Sequence, residues 1–187
     1  YALAPAENIE RIFPDEVAYL TDVPAYPEGT NDTYFPAQWH LPFIGVSGAW
    51  RNGFCGNGVR VAILDSGIDL NHPDLPEPIY VYNAIKGADE TNVQDTLGHG
   101  TSVAGVVAAK TNNSIATSSI AHGAQLMIIK VADANQLSTS SIIMGFKKVL
   151  AMGCDVIDMS LGFTEQSAPA SIEPMRELVE KAVDEGI

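Results

Sequence analysis

Val59-Arg60-Val61-Ala62-Ile63-Leu64-Asp65-Ser66-Gly67 is the stretch on which the fold turns. From Val59 to Leu64 it is apolar but for Arg60, and it stops at an acidic residue followed by Ser and Gly. Such a run reads as a strand buried on both faces. Two similar runs follow, at residues 125–131 (Gln-Leu-Met-Ile-Ile-Lys-Val) and 155–160 (Asp-Val-Ile-Asp-Met-Ser). Helical stretches separate and follow them. One over 98–110 is rich in small residues. A second over 139–152 carries Ile142, Ile143, Phe146, Val149 and Leu150, and an amphipathic one covers 171–185. Strands alternating with helices predict an α/β fold with a mostly parallel sheet.

Upstream of this stretch the composition changes. Residues 1–48 hold Pro5, Pro14, Pro24, Pro27, Pro36 and Pro42, which excludes a long helix there. The same segment holds Tyr19, Tyr26, Tyr34, Phe35, Trp39 and Phe43, and it reads as a wrapping segment that pins aromatics onto a core. Residues 22–31, polar with Pro24, Pro27 and Gly29, suit a linker.

The chain has 187 residues, with 23 Asp+Glu against 10 Lys+Arg and a formal net charge of −13. No basic run exceeds Lys147-Lys148, which argues against nucleic acid as a partner. Hydrophobic residues make up 46%, enough for a packed core and too many for an acidic disordered chain. No apolar run approaches the length of a membrane span. Cys55 and Cys154 are too few for a disulfide framework; one bridge is possible, and two free thiols are the expectation. The chain starts at Tyr1 and stops after a helix end, a Gly cap and one residue of a next strand, so it reads as part of a longer protein.

Two residues stand out chemically. Asp65 closes a buried strand, and ligands of open α/β sheets bind beyond the carboxyl ends of strands. A carboxylate there can orient a histidine; it can equally be a turn-forming Asp. His99 stands at a helix start in Asp95-Thr96-Leu97-Gly98-His99-Gly100-Thr101-Ser102. The partial positive charge of a helix N-terminus favours a neutral ring able to act as a base. The plain alternative is a solvated histidine near the cap.

The motifs are far more specific in combination. Val61-Ala62-Ile63-Leu64-Asp65-Ser66-Gly67-Ile68-Asp69 comes first, then His72-Pro73-Asp74-Leu75. Gly98-His99-Gly100-Thr101-Ser102-Val103-Ala104-Gly105 follows, and Val156-Ile157-Asp158-Met159-Ser160-Leu161-Gly162 is last. In this order they resemble the subtilisin-like serine proteases, the S8 peptidases, over residues 31–187. The resemblance implies a three-layer fold whose sheet is incomplete at the C-terminus. It makes Asp65 the orienting acid, His99 the general base, and Ser160, Leu161 and Gly162 the substrate-binding edge. The nucleophilic Ser and the oxyanion Asn would lie beyond residue 187. Gly100-Thr101-Ser102 belongs to the His motif, with Ser102 turned into the helix, and Ser66 is too close to Asp65 to serve the same His. Asp158 departs from the family, which usually has Asn there, and is expected to be structural.

The same resemblance implies a calcium loop at 111–117. Backbone carbonyls, with Asp32, Asp74, Thr111, Asn113, Ile115 and Thr117 contributing, could supply the clustered oxygens a hard cation needs. Residues 7–20 resemble the last strand of an inhibitory propeptide. The domain division implied is a propeptide tail and linker over 1–30 and the N-terminal part of a peptidase domain over 31–187. His72 is expected to brace the loop after Asp65, and His40 and His122 to pack or lie on the surface. The resulting reading is a serine endopeptidase acting on peptides, secreted with its propeptide in cis, and inactive as this segment alone. A non-catalytic subtilase-like binding protein is one alternative. A metal-dependent hydrolase using Asp65, Asp69, His72 and His99 is another.

Overall fold

In the computed structural model residues 29–134, 137–162 and 169–187 are described, with backbone alone for 169–171. The expected propeptide strand over 7–20 and most of the linker lie outside the described residues. Four strands form one sheet: β1 (Arg60–Asp65), β2 (Tyr80–Asn83), β3 (Gln125–Lys130) and β4 (Val156–Asp158). Their order is β2-β3-β1-β4 and every neighbouring pair is parallel. β1 therefore lies inside the sheet, flanked by β3 and β4, as its apolar run requires.

The helices are α1 (His40–Phe43), α2 (Val46–Arg51), α3 (His99–Ala108), α4 (Thr139–Met152) and α5 (Pro169–Asp184), with a 3-10 turn at Phe35–Ala37. Alternate residues of β1 point to opposite sides. Val61 and Ile63 join Leu126 and Ile128 of β3 in a cluster with Ala104 and Ala108 of α3. Ala62 and Leu64 join Met127 and Ile129 in a second cluster with Ile142, Phe146 and Val149 of α4 and with Met175 and Ala182 of α5. The result is three layers, helix on sheet on helix. Within α4, Gly145 lets the helix lie close: a Cβ there would stand 2.8 Å from Ile129 Cγ2. Ser138 caps the same helix, its hydroxyl accepting from Ser141 N at 3.2 Å.

Three expectations need correction. β2 was not anticipated, because four residues between Pro78 and a polar loop carry too short a pattern to register. The strand expected over 155–160 is shorter, Val156–Asp158; just before it Asp155 N donates to Arg60 O at 3.0 Å, and its carboxylate accepts from Arg60 N at 2.8 Å and from the Arg60 guanidinium at 3.3 Å. Among the described N-terminal aromatics, Tyr34, Trp39 and Phe43 are exposed and not pinned onto the core. Leu41 and Val46 fill that place, while Trp39 is 72% and Phe43 81% exposed, stacked edge-to-face on each other at 5.9 Å. Cys55 and buried Cys154 are both free thiols. Among the described residues no helix is long and apolar enough to cross a membrane.

Candidate active site

β1 delivers Asp65 to the carboxyl edge of the sheet, opposite Lys130 of β3 in the ladder. The chain then turns at Ser66-Gly67 and α3 begins beside it. Two glycines allow this approach. Gly67 has φ +109°, and a Cβ there would lie 2.2 Å from Val93 O. A Cβ on Gly100 would lie 2.3 Å from Gly67 O and 3.1 Å from Asp65 Cβ. A side chain at Gly100 would push α3 away from β1, and one at Gly67 would push out Val93, whose carbonyl accepts from Ile68 N at 2.9 Å.

With α3 so close, His99 Nδ1 sits 2.8 Å from Asp65 Oδ1 and 2.9 Å from Asp65 Oδ2. Asp65 is buried at 6% exposure, and Oδ1 also accepts from Ser66 N at 2.6 Å. The His99 side chain is 57% exposed, and Nε2 has no partner among the described residues. The hydrogen bond and charge of Asp65 lift the His99 pKa above its ordinary value, against a small effect of burial; the charges of Asp95 and Asp158 add to the rise. The helix terminus was expected to favour the neutral ring; Asp65 acts in the opposite direction. A full carboxylate in hydrogen-bond contact outweighs the partial charge of a helix end.

A second layer of polar contacts holds this pair. Asp95 Oδ1 accepts from Ser66 Oγ at 2.8 Å, Leu97 N at 3.0 Å and Gly98 N at 2.9 Å. Its Oδ2 accepts from Thr101 N at 2.9 Å and Thr101 Oγ1 at 2.6 Å. Burial alone would push this carboxyl up, but the donors of Thr101, Leu97 and Ser66 outweigh it and hold it far below the usual range. Lys130, buried, donates to Ser66 O at 2.5 Å and Gln94 O at 3.0 Å. Burial lowers its pKa, and the charges of Asp95 and Asp133 oppose that. Sequence reasoning gave Asp95 and Lys130 no role. The available signals were a lysine in an otherwise apolar buried strand and an acid four residues before a candidate base.

A cavity of about 250 Å³ opens above the pair, lined by Asp65, His99, Leu97, Leu137, and the expected substrate residues Ser160, Leu161 and Gly162. Ser160 to Gly162 follow β4, the strand at one edge of the described sheet. Ser160 Oγ donates to Asp158 Oδ1 at 3.0 Å. Ser102 is exposed, and its hydroxyl folds back onto Gly98 O at 2.8 Å. Ser66 Oγ is spent on Asp95 and on Gly100 N at 2.9 Å. Neither hydroxyl is offered to His99.

The expected metal residues gather around 111–117. Asp32 and Asp74 are 2% and 1% exposed. Asp74 Oδ1 accepts from Asn113 Nδ2 at 2.8 Å and Oδ2 from Thr117 N at 3.1 Å. Asp32 accepts from Asn112 N and Asn113 N, each at 3.0 Å, and from Ser118 Oγ at 2.7 Å. Burial of Asp32 raises its pKa, and the bonds from Ser118, Asn112 and Asn113 more than reverse that. Non-glycine residues with left-handed φ alternate along the loop at Asn112, Ser114 and Ala116. Ser114 O and Ala116 O are taken by Thr33 Oγ1 at 3.1 Å and Tyr34 N at 2.7 Å. Among the described residues nothing donates to the carbonyls of Thr111, Ile115 or Thr117. Those carbonyls, Asp74 and Asn113 Oδ1 fit a hard cation by donor type. The oxygens of Asp32 already hold the loop, as do those of Asp74 and Asn113 Oδ1, which accepts from Ile115 N at 2.8 Å.

The residues of the metal-hydrolase alternative do not assemble. Among the described residues no three His, Cys, Asp or Glu side chains converge as a metal set. Asp69 Oδ1 accepts from Asn71 N at 3.0 Å, and His72 Nδ1 accepts from Asp74 N at 3.3 Å within its own loop. His122 stacks edge-to-face on Trp50 at 5.5 Å.

Comparison with known sequences finds relatives over most of the chain. A sequence profile of the Subtilase family matches residues 56–187. Subtilisin E of Bacillus subtilis is 41% identical over 141 residues, covering 72% of this chain and 34% of that protein. The minor extracellular protease Epr of Bacillus subtilis is 33% identical over 168 residues, covering 89% of this chain and 24% of that protein. The minor extracellular protease Vpr of the same organism is 33% identical over 174 residues, 86% of this chain and 21% of that protein. The chain thus spans about a third or less of the length of these relatives.

Proposed function

The chain belongs to the subtilase family, and on that premise we propose that it carries the orienting acid and general base of a serine endopeptidase whose nucleophilic Ser lies C-terminal to Ile187. The observation that carries this reading is the contact of His99 Nδ1 with both Asp65 oxygens, at 2.8 and 2.9 Å, below an open cleft. With Nδ1–H donating to the carboxylate, the lone pair of Nε2 is left for a substrate-side proton.

The reaction is acyl transfer. The Ser oxygen attacks the peptide carbonyl while its proton passes to His99 Nε2, and Asp65 stabilises the resulting imidazolium. His99 returns the proton to the leaving amine, and water then releases the acyl group by the same route. A peptide laid in extended form along Ser160 to Gly162 would present its carbonyl to the cleft, with main-chain bonds giving affinity with little side-chain preference.

Calcium belongs to this proposal as a structural ion. Asp74, Asn113 and the carbonyls of Thr111, Ile115 and Thr117 would hold it, with Asp32 fastening the loop behind them. The ion would add folded-state binding energy and no chemistry. Secretion, a propeptide in cis over residues 1–30, and the start of the mature domain near residue 31 complete the proposal; two relatives are named as extracellular proteases.

The test is to express the full-length protein and assay it on casein with and without a serine-directed covalent inhibitor. Inhibitor-sensitive hydrolysis is expected. A folded full-length protein that binds peptides without cleaving them would replace the protease by the non-catalytic binder.

A further inference from the structure

Ser66 links the support of Asp65 to the support of His99. All of its polar atoms are spent. Its N–H donates to Asp65 Oδ1 at 2.6 Å, and its hydroxyl donates to Asp95 Oδ1 at 2.8 Å. The same hydroxyl accepts from Gly100 N at 2.9 Å, one residue past the base. Its carbonyl accepts from Lys130 Nζ at 2.5 Å. The residue is 1% exposed, so none of these groups can fall back on water.

Asp95 and Lys130 grip it from opposite sides. Asp95 also takes the amides of Leu97, Gly98 and Thr101, which are the start of α3. Lys130 also takes Gln94 O, so the segment before α3 is tied to the carboxyl end of β3 as well. The His99 backbone is thus fixed between Gly98 and Gly100, both bound into the network, while Asp65 is fixed from Ser66. Two elements far apart in sequence meet at a single hydroxyl. We propose that Ser66, held by Asp95 and Lys130, is a positioning residue that sets the Asp65–His99 hydrogen bond for proton transfer. This rests on the proteolytic reading above.

The charged groups that act on His99 are Asp65, Asp95 and Asp158. Loss of the Ser66 hydroxyl leaves Gly100 N without its acceptor and lets α3 shift on β1. A displacement of the base by a fraction of an ångström to one ångström costs about ten- to a hundredfold in kcat. KM should stay within about twofold, since Ser66 lines the cleft with every polar atom already engaged and has no hydrogen bond to offer a substrate.

The experiment uses the full-length protein carrying Ser66→Ala, Ser66→Thr or Asp95→Asn, with His99→Ala as control. Three quantities are read: kcat against KM, the melting temperature, and the downfield proton resonance of His99 Nδ1. Ser66→Ala and Asp95→Asn should lower kcat at near-constant KM and shift or broaden the Nδ1 resonance. Ser66→Thr, which keeps the hydroxyl, should recover most of the loss. Asp95→Asn should also move the acid limb of kcat/KM to lower pH, because it removes a charge that raises the His99 pKa.

A purely structural Ser66 would lower the melting temperature and leave the resonance and kcat of the folded fraction at wild-type values; that outcome overturns the proposal. A loss of kcat with an unmoved resonance overturns it too. If Asp95→Asn fails to fold, Ser66→Ala, the loss of one hydroxyl, carries the test. Failure of the underlying reading looks different. It would appear as an inactive wild type or a fully active His99→Ala, while the resonance, which needs no turnover, still reports the pair.

Discussion

The two ends of α3 are built from the same parts and do opposite things. At its start, Asp65 and Asp95 accept from backbone amides and hydroxyls. Past its end, Asp74 and Asp32 accept from the amides of Thr117, Asn112 and Asn113. All four carboxylates are at least partly buried and all are hydrogen-bonded. Among the described residues, only at the start is one of them hydrogen-bonded to a ring that can gain and lose a proton, His99. At the far end every partner is a fixed donor. A buried carboxylate with fixed donors organises a loop; one that faces a titratable ring can take part in chemistry.

The sharpest break of this comparison is a pair of substitutions. His99→Ala in the full-length protein should cut kcat by roughly 10⁴- to 10⁶-fold, since the base goes while binding remains. Its melting temperature should stay near wild type, because the ring is more than half exposed. Steady-state kinetics and a thermal melt on one preparation check both. A His99→Ala enzyme as active as wild type would remove the distinction between the two ends.

Asp32→Ala should behave in reverse. It strips the acceptor from Asn112 N, Asn113 N and Ser118 Oγ. Leaving those donors unpaired should cost about 2–4 kcal/mol of stability, read by denaturant titration, with kcat of the folded enzyme unchanged. The pH dependence has a definite sign. Asp32 has its folded pKa depressed, so its contribution is present above the unfolded value of about 4 and is lost as pH falls through the folded one. The stability gap between wild type and Asp32→Asn should narrow in acid. A gap that stays constant from neutral pH down to about pH 2 would show that the charge of Asp32 is not what holds the loop.

The start of α3 was legible in the sequence, and much of its surroundings was not. Asp65 could be singled out because it ends an apolar run, and His99 because it follows a helix-start glycine; both signals are local. Ser66 follows β1, Asp95 lies in the loop before α3 and Lys130 ends β3, so the three meet only after those elements have packed. Sequence spacing carries no trace of that meeting. Lys130 was visible as an oddity, a charge in a buried strand, but the carbonyls it serves were not. β2 was missed because four residues are too few for a period to register, whereas β3 and α4 declared themselves through six and fourteen residues. Trp39 and Phe43 misled for a different reason. Aromatic content suggests burial, yet the residues that fill the core there are the aliphatic Leu41 and Val46.

Calcium tests the far end on a smaller scale. If the loop binds the ion in the folded state only, excess calcium at about a hundred times its Kd should add about 2.7 kcal/mol, seen as a rise of a few degrees in the melt. Asn113→Ala and Asp74→Asn should abolish the rise, and Glu173→Gln on α5 should not. Identical melts with calcium and with chelator in the wild type would leave the loop held by its own hydrogen bonds alone.

The smallest expected effect is at Asp158, where the family usually has Asn. Asp158 is half-buried next to the cleft and accepts from Ser160 Oγ at 3.0 Å. Its charge raises the His99 pKa, after the larger effects of Asp65 and Asp95. Asp158→Asn removes that charge and keeps the shape and the acceptor for Ser160. The neutral base is the active form, so lowering the His99 pKa widens the active range toward acid. The acid limb of kcat/KM should therefore move to lower pH, by less than in Asp95→Asn, with the plateau near wild type. The shift should shrink as salt is raised, because His99 is exposed and part of the field between the two groups passes through solvent. A limb that stays in place or moves to higher pH would mean that the charge of Asp158 does not raise the His99 pKa.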